Sequence, residues 1–189
     1  MKKQKNISHL VLLAVLISFS VILSLFDKII SQGILISTGL GVIAPYFKLG
    51  LANIVILIII YNYNFSNSIL SVFLKCLILA IFNLSSAPMS FGGSFLSFFV
   101  IYFLYKITFK DIKYIYIISA IGGFSHSLGQ IIFGFLWYGL IDLNSVLQGN
   151  IPSDILIYAP FMLITGLITG FLIGAVAKQT NKYFIKINK

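Results

Sequence analysis

Residues 10–26 read LVLLAVLISFSVILSLF, a run without a single charge. Lys2, Lys3 and Lys5 stand before it, and Asp27 and Lys28 follow it. A bilayer core of about 30 Å needs roughly 20 helical residues. The run and its flank, 9–26, therefore read as a membrane-spanning helix. A cleaved signal peptide is the competing reading. The apolar stretch is longer than an ordinary h-region and no A-x-A-like site follows, so a retained first helix is expected.

The same reading extends along the chain. Further apolar segments fall at about 47–62, 68–84, 93–106, 114–139 and 155–177. Of the 189 residues, 59% are hydrophobic and 9% charged, against about 25% charged in a soluble domain. Such a surface suits lipid, where apolar side chains face outward without cost. The length suits one bundle over 1–189 and no separate soluble domain. The expected fold class is an all-α integral membrane protein, a bundle of six transmembrane helices.

Net charge is +9, from thirteen Lys and four Asp, with neither Arg nor Glu. On a soluble chain this would suggest nucleic acid; here the lysines sit at segment ends, and topology explains them. With the N-terminus inside, ten of the thirteen lysines fall on the cytoplasmic side: Lys2, Lys3, Lys5, Lys106, Lys110, Lys113, Lys178, Lys182, Lys186 and Lys189. The positive-inside rule thus puts both termini in the cytoplasm of a bacterial cell. Residues 27–46, with Gly33, Gly39, Gly41 and Pro45, read as an outer loop able to cap a cavity. A polar outer loop is expected over 140–154, with Trp137, Tyr138 and Tyr158 near that interface. The single Cys76 excludes a disulfide framework or a cysteine metal site.

Polar groups within the membrane are costly, so each needs an account. Lys48 opens the second segment near Gly50 and Asn53. It is either a snorkelling interfacial lysine or a donor at the mouth of a cavity. Lys75 sits midway along the third segment, where snorkelling is strained. No acidic residue lies within the six segments as drawn, so its partner is a bound anion, or Asp27 or Asp142 folding inward. Gly122, His126, Gln130 and Gly134 recur every four residues on one helical face. They are a packed polar core or a cavity wall. His9 lies among the N-terminal lysines and reads as a solvated end. Gly166, Gly170 and Gly174 form a doubled G-x-x-x-G, which ordinarily means tight helix packing, within the chain or against a partner. Ala14 and Ser18 make a weaker small pair that could face another subunit.

The run Lys48-Leu49-Gly50-Leu51-Ala52-Asn53-Ile54-Val55 resembles the signature of the Gx transporter family, also called heptaprenyl diphosphate synthase component I. Phe124-Ser125-His126-Ser127-Leu128-Gly129-Gln130 resembles that family's His-Asn-x-Gly-Gln pattern, with Ser127 in place of Asn. Tyr158-Ala159-Pro160 through Gly174 extends the likeness. Lys75 stands where the family pattern has Arg, which keeps the charge but loses bidentate geometry. The family is in turn similar to the substrate-binding S components of energy-coupling factor transporters, six-helix proteins whose first helix often offers an Ala-x-x-x-Ala pair to a coupling subunit. The resemblance implies a ligand site from Lys48, Asn53, Lys75, His126, Ser127 and Gln130.

Two functions follow. The first is a membrane-embedded, S-component-like binding subunit of a transporter for a small anionic or polar metabolite, vitamin- or isoprenoid-related. Its partners would be an energy-coupling transmembrane subunit and ATPases, since the chain has no P-loop. The second is a non-catalytic accessory or anchor subunit for quinone, prenyl-diphosphate or flavin-linked electron-transfer metabolism, with a redox or prenyl-synthase partner. No enzyme is expected: a prenyl diphosphate synthase clusters aspartates around magnesium, and Asp27, Asp111, Asp142 and Asp154 are scattered. No cofactor and no metal site is called for.

Overall fold

A computed structural model describes residues 2–37, 50–82, 84, 87–141 and 153–187. Among them the chain is helical: α1 Lys2–Ser37, α2 Ala52–Asn62, α3 Phe65–Phe82, α4 Ala87–Ile107, α5 Ile115–Ile141 and α6 Ser153–Ile187, with a 3-10 turn at Ile112–Tyr114 before α5. Five stretches among the described residues are long and apolar enough to cross a membrane: His9–Ile30, Phe65–Phe82, Ala87–Ile107, Ile112–Leu140 and Ile157–Asn181. The chain is a helical membrane protein. Its outer faces carry Phe103, Leu140 and Ile81, all at least 65% exposed, as lipid-facing side chains are.

Several boundaries differ from the sequence reading. The first helix does not stop at 26 but runs to Ser37, so the loop expected over 27–46 begins no earlier than 38. Asp27 accordingly lies inside a helix, and it is buried. The remainder of that loop, Lys48, and most of 140–154 with Asp142 lie outside the described residues. The span expected at 47–62 is represented by α2, eleven residues long, or about 16 Å of helix. That is roughly half a bilayer core.

α2 is apolar around its whole circumference, and Leu57, Ile59 and Ile60 have no exposed surface. A helix of this kind belongs at the centre of a bundle. Its C-terminal end is held by polar and aromatic contacts. The Asn62 amide donates to Asn181 Oδ1 of α6 at 2.6 Å, and Tyr61 lies edge-on to Tyr105 of α4 at 4.7 Å. Tyr63, just past the helix, meets the His9 ring of α1 at 5.7 Å. Burial raises its phenol pKa above the ordinary value. Lys178 of α6 sits over the Tyr116 ring of α5 at 4.5 Å. These contacts gather the start of α1 and α5 and the ends of α2, α4 and α6 at one pole of the bundle. Lys106, Lys113 and Lys178 share that pole.

α5 packs between α4 and α6, and glycines make both contacts close. A Cβ on Gly123 would collide with the Gly166 carbonyl oxygen, and one on Gly170 would stand 2.5 Å from the Ser119 carbonyl oxygen. Gly174 lies against Tyr116 and Ser119. Gly166, Gly170 and Gly174 thus form the α6 side of a seam with α5. On the other side, a Cβ on Gly129 would come within 2.5 Å of the Gly92 oxygen. Ser97 bridges α4 to α5 by donating to the Gly122 carbonyl at 2.8 Å. Backbone approach of this kind supplies the van der Waals contact that holds helices together where no hydrophobic effect acts between them.

Candidate functional site

The short α2 creates a chemical problem. Its first backbone amides have no partner within the helix. Gly50 turns the chain into the helix at φ 78°, a left-handed conformation that glycine adopts without strain. The carboxylate of Asp27 then accepts from the Gly50 amide at 2.6 Å and from the Leu51 amide at 3.2 Å. An acidic side chain at this end also complements the helix dipole. An aspartate within a membrane helix is therefore explained by the helix it caps.

Above that cap lies a cavity of about 150 Å³. Its walls come from five helices: Ser24, Asp27 and Lys28 of α1, Asn53 of α2, Lys75 of α3, Ser90 and Ser94 of α4, and His126 of α5. These polar groups stand in a largely apolar wall that includes Leu25, Leu79 and Phe82. It lies toward the pole opposite Lys106 and Lys178, since it is built from the late part of α1 and α3 and the early part of α2 and α4.

Lys75 is the unusual wall residue. It is 4% exposed and stands seven residues, about 10 Å, from the end of α3. No hydrogen bond or ion pair joins it to another described residue. Asp27 acts on it through charge across the cavity, while the same carboxylate is engaged with α2. Of the two acidic partners expected for Lys75, Asp27 lines the same cavity but caps α2 instead of pairing with the lysine. The other candidate, Asp142, lies outside the described residues.

The structure separates the remaining candidates. Asn53 and His126 line the cavity with Lys75. Ser127 does not: it is buried toward α6, where its hydroxyl meets the space a Gly166 side chain would occupy. Gln130 does not line it either. It packs on α4, with its Cγ 2.7 Å from where a Gly93 Cβ would stand. Lys48 is not described. Ala14 and Ser18 are exposed on the outside of α1, with the Ser18 hydroxyl turned back to the Ala14 carbonyl at 3.0 Å. Lys28, Ser24, Ser90 and Ser94 are wall residues that the sequence reading missed, and Asp27 entered it only as a candidate partner for Lys75. The four-residue spacing of Ser90 and Ser94 beside Gly93 was the available signal. Among the described residues no group of His, Cys, Asp or Glu could hold a metal ion.

A cavity among five packed helices, with Asp27, Asn53, Lys75 and His126 set in a largely apolar wall, defines the chain as a multi-helix membrane protein with a small-molecule-sized chamber. Residues 16–180 match the family model described as heptaprenyl diphosphate synthase component I. The chain belongs to that family. Searches of curated proteins and of solved structures gave no match.

Proposed function

We propose that this chain is a non-catalytic binding subunit, similar in role to the S component of an energy-coupling transporter, which takes the anionic end of a small metabolite into the Lys75 cavity. The buried Lys75 ammonium carries the reading. A charge held in the membrane interior is retained where it serves a ligand or ion path. Asn53, His126, Ser90 and Ser94 would orient the ligand by hydrogen bonds. The volume, about 150 Å³, suits one ring-sized molecule or a diphosphate headgroup. It is too small for the whole chain of a heptaprenyl group.

Lysine placement supports a bacterial cytoplasmic membrane with the lysine-rich pole inside, so the cavity would face outward. Exposed Ala14 and Ser18 support α1 as the face for a coupling subunit, with ATP hydrolysis on a separate chain. The family match favours a second reading, a membrane accessory to prenyl-diphosphate synthesis.

Thermal unfolding of the purified protein with inorganic diphosphate, small carboxylates and vitamin phosphates tests the first reading. A saturable rise in Tm that Lys75→Ala removes is expected. No rise with any of them, together with co-purification of a prenyl synthase, would give the second reading the advantage.

A further inference from the structure

The chamber wall changes character with depth. α3 ends at Phe82 and α4 begins at Ala87. Both residues line the chamber, so they mark its rim. Lys75 and Ser94 each stand seven residues in from those ends, about 10 Å along the helices. They therefore lie at one level, the floor. Both are buried. Leu79 is placed between floor and rim on the same face of α3, four residues from Lys75 and three from Phe82. The α3 side thus offers a cation at the bottom and apolar surface from there to the opening.

The lining also has a definite charge. Among the described residues its cations are Lys28 and Lys75 and its anion is Asp27, which leaves one net positive charge. The Asp27 carboxylate is committed to the Gly50 and Leu51 amides at 2.6 and 3.2 Å. A ligand with one negative charge brings this set to neutrality. A second negative charge would stand uncompensated beside a lysine that is 4% exposed, and an unpaired charge in such a place is costly.

We propose, resting on the binding-subunit reading above, that the ligand is a monocarboxylate with a compact apolar body, bound head-down. The carboxylate meets Lys75 and the Ser94 hydroxyl at the floor. The body lies against Leu79 and reaches Phe82 at the rim. Phosphate esters fit poorly, because a phosphate monoester carries about −1.5 to −2 charge at neutral pH, and a diphosphate fits worse. A volume of about 150 Å³ over a depth of about 10 Å admits one ring on a short arm and excludes a long alkyl chain.

The test is titration calorimetry of the full chain in phosphatidylcholine nanodiscs. Three probes share one skeleton: 3-phenylpropionate, its uncharged amide, and the dianion with a second carboxylate on the ring. Acetate and inorganic diphosphate represent heads without a body. 3-Phenylpropionate should bind saturably at one equivalent, and at least tenfold tighter than the amide or the dianion. Acetate should be weaker by more than tenfold, since each buried methylene is worth roughly fourfold. Lys75→Met should abolish binding. Leu79→Asn should weaken 3-phenylpropionate about three- to tenfold, and so should Phe82→Ser, at an exposed rim position where folding is not at stake. Tighter binding of the dianion or of diphosphate, lost in Lys75→Met, would overturn the monocarboxylate proposal and leave the anion-binding chamber standing. Binding of 3-phenylpropionate that both wall substitutions leave unchanged would do the same. No Lys75-dependent binding of any probe would overturn the proposal and the chamber reading together.

Discussion

Removing Asp27 should both unseat α2 and strand Lys75, and the two effects are separable. Asp27→Ala takes away the carboxylate that accepts from the Gly50 and Leu51 amides, at 2.6 and 3.2 Å. Loss of a helix cap costs about 0.5–2 kcal/mol. It also removes the charge facing Lys75. The single substitution should therefore cost at least the contribution of the cap, about 0.5–2 kcal/mol, with the lost charge added to it. Asp27→Asn keeps an acceptor oxygen and should cost less than Asp27→Ala. The decisive measurement is a double-mutant cycle with Lys75→Met, read by reversible unfolding in mixed micelles. The coupling between Asp27→Ala and Lys75→Met should reach about 1–3 kcal/mol, because the second change removes the charge that the first one strands. Additivity within about 0.5 kcal/mol would show that the two residues do not sense each other, and the charge argument for the chamber would fail.

Three further outcomes follow from the geometry. Gly166→Leu should lower the melting temperature strongly by forcing α6 from α5, whereas Gly139→Ala, with open space around it, should be neutral or stabilising by up to about 1 kcal/mol. Asn53→Ala and His126→Ala should each weaken a chamber ligand about three- to tenfold in calorimetry, while Ser127→Ala stays within about twofold of the parent. Asn181→Leu should cost about 1–2 kcal/mol by leaving one hydrogen of the Asn62 amide unsatisfied while the other keeps the Ile58 carbonyl at 2.8 Å, and adding Asn62→Leu should recover part of that loss.

Hydropathy and lysine position made the membrane class legible, because both act through the lipid and need no knowledge of packing. The helix ends were not legible in the same way. A window over 10–26 stops at the first charge, and Asp27 looked like a loop residue. Its burial depends on an amide pair 23 residues later, which no local pattern records. The second segment looked like an ordinary span because its apolar count includes residues before Gly50. The α5 motif was legible as a helix but not as a site. His126 and Ser127 are adjacent, so one faces the chamber and the other faces α6. Gln130 shares the His126 face yet lies a turn further along, beside Gly93. Periodicity finds a face; only the neighbours decide what that face touches.

In lipid, hydrophobicity no longer sorts inside from outside. Phe103 and Leu140 are exposed, while Ser94, Ser97 and Gln130 are buried. Polar side chains therefore carry the information that apolar ones carry in a soluble core, and each has to be accounted for. Ser97 is used to join α4 to α5, Asn181 to hold α2, and Asp27 to cap it. Lys75 performs no such task for a described residue. A bundle built only to anchor a partner would be as stable, or more so, with methionine there. The ammonium is retained at a cost, in a chamber with room for a molecule and hydrogen-bonding side chains on three further helices. That combination favours a binding subunit over a passive anchor, and it locates the difference between the two readings at one residue.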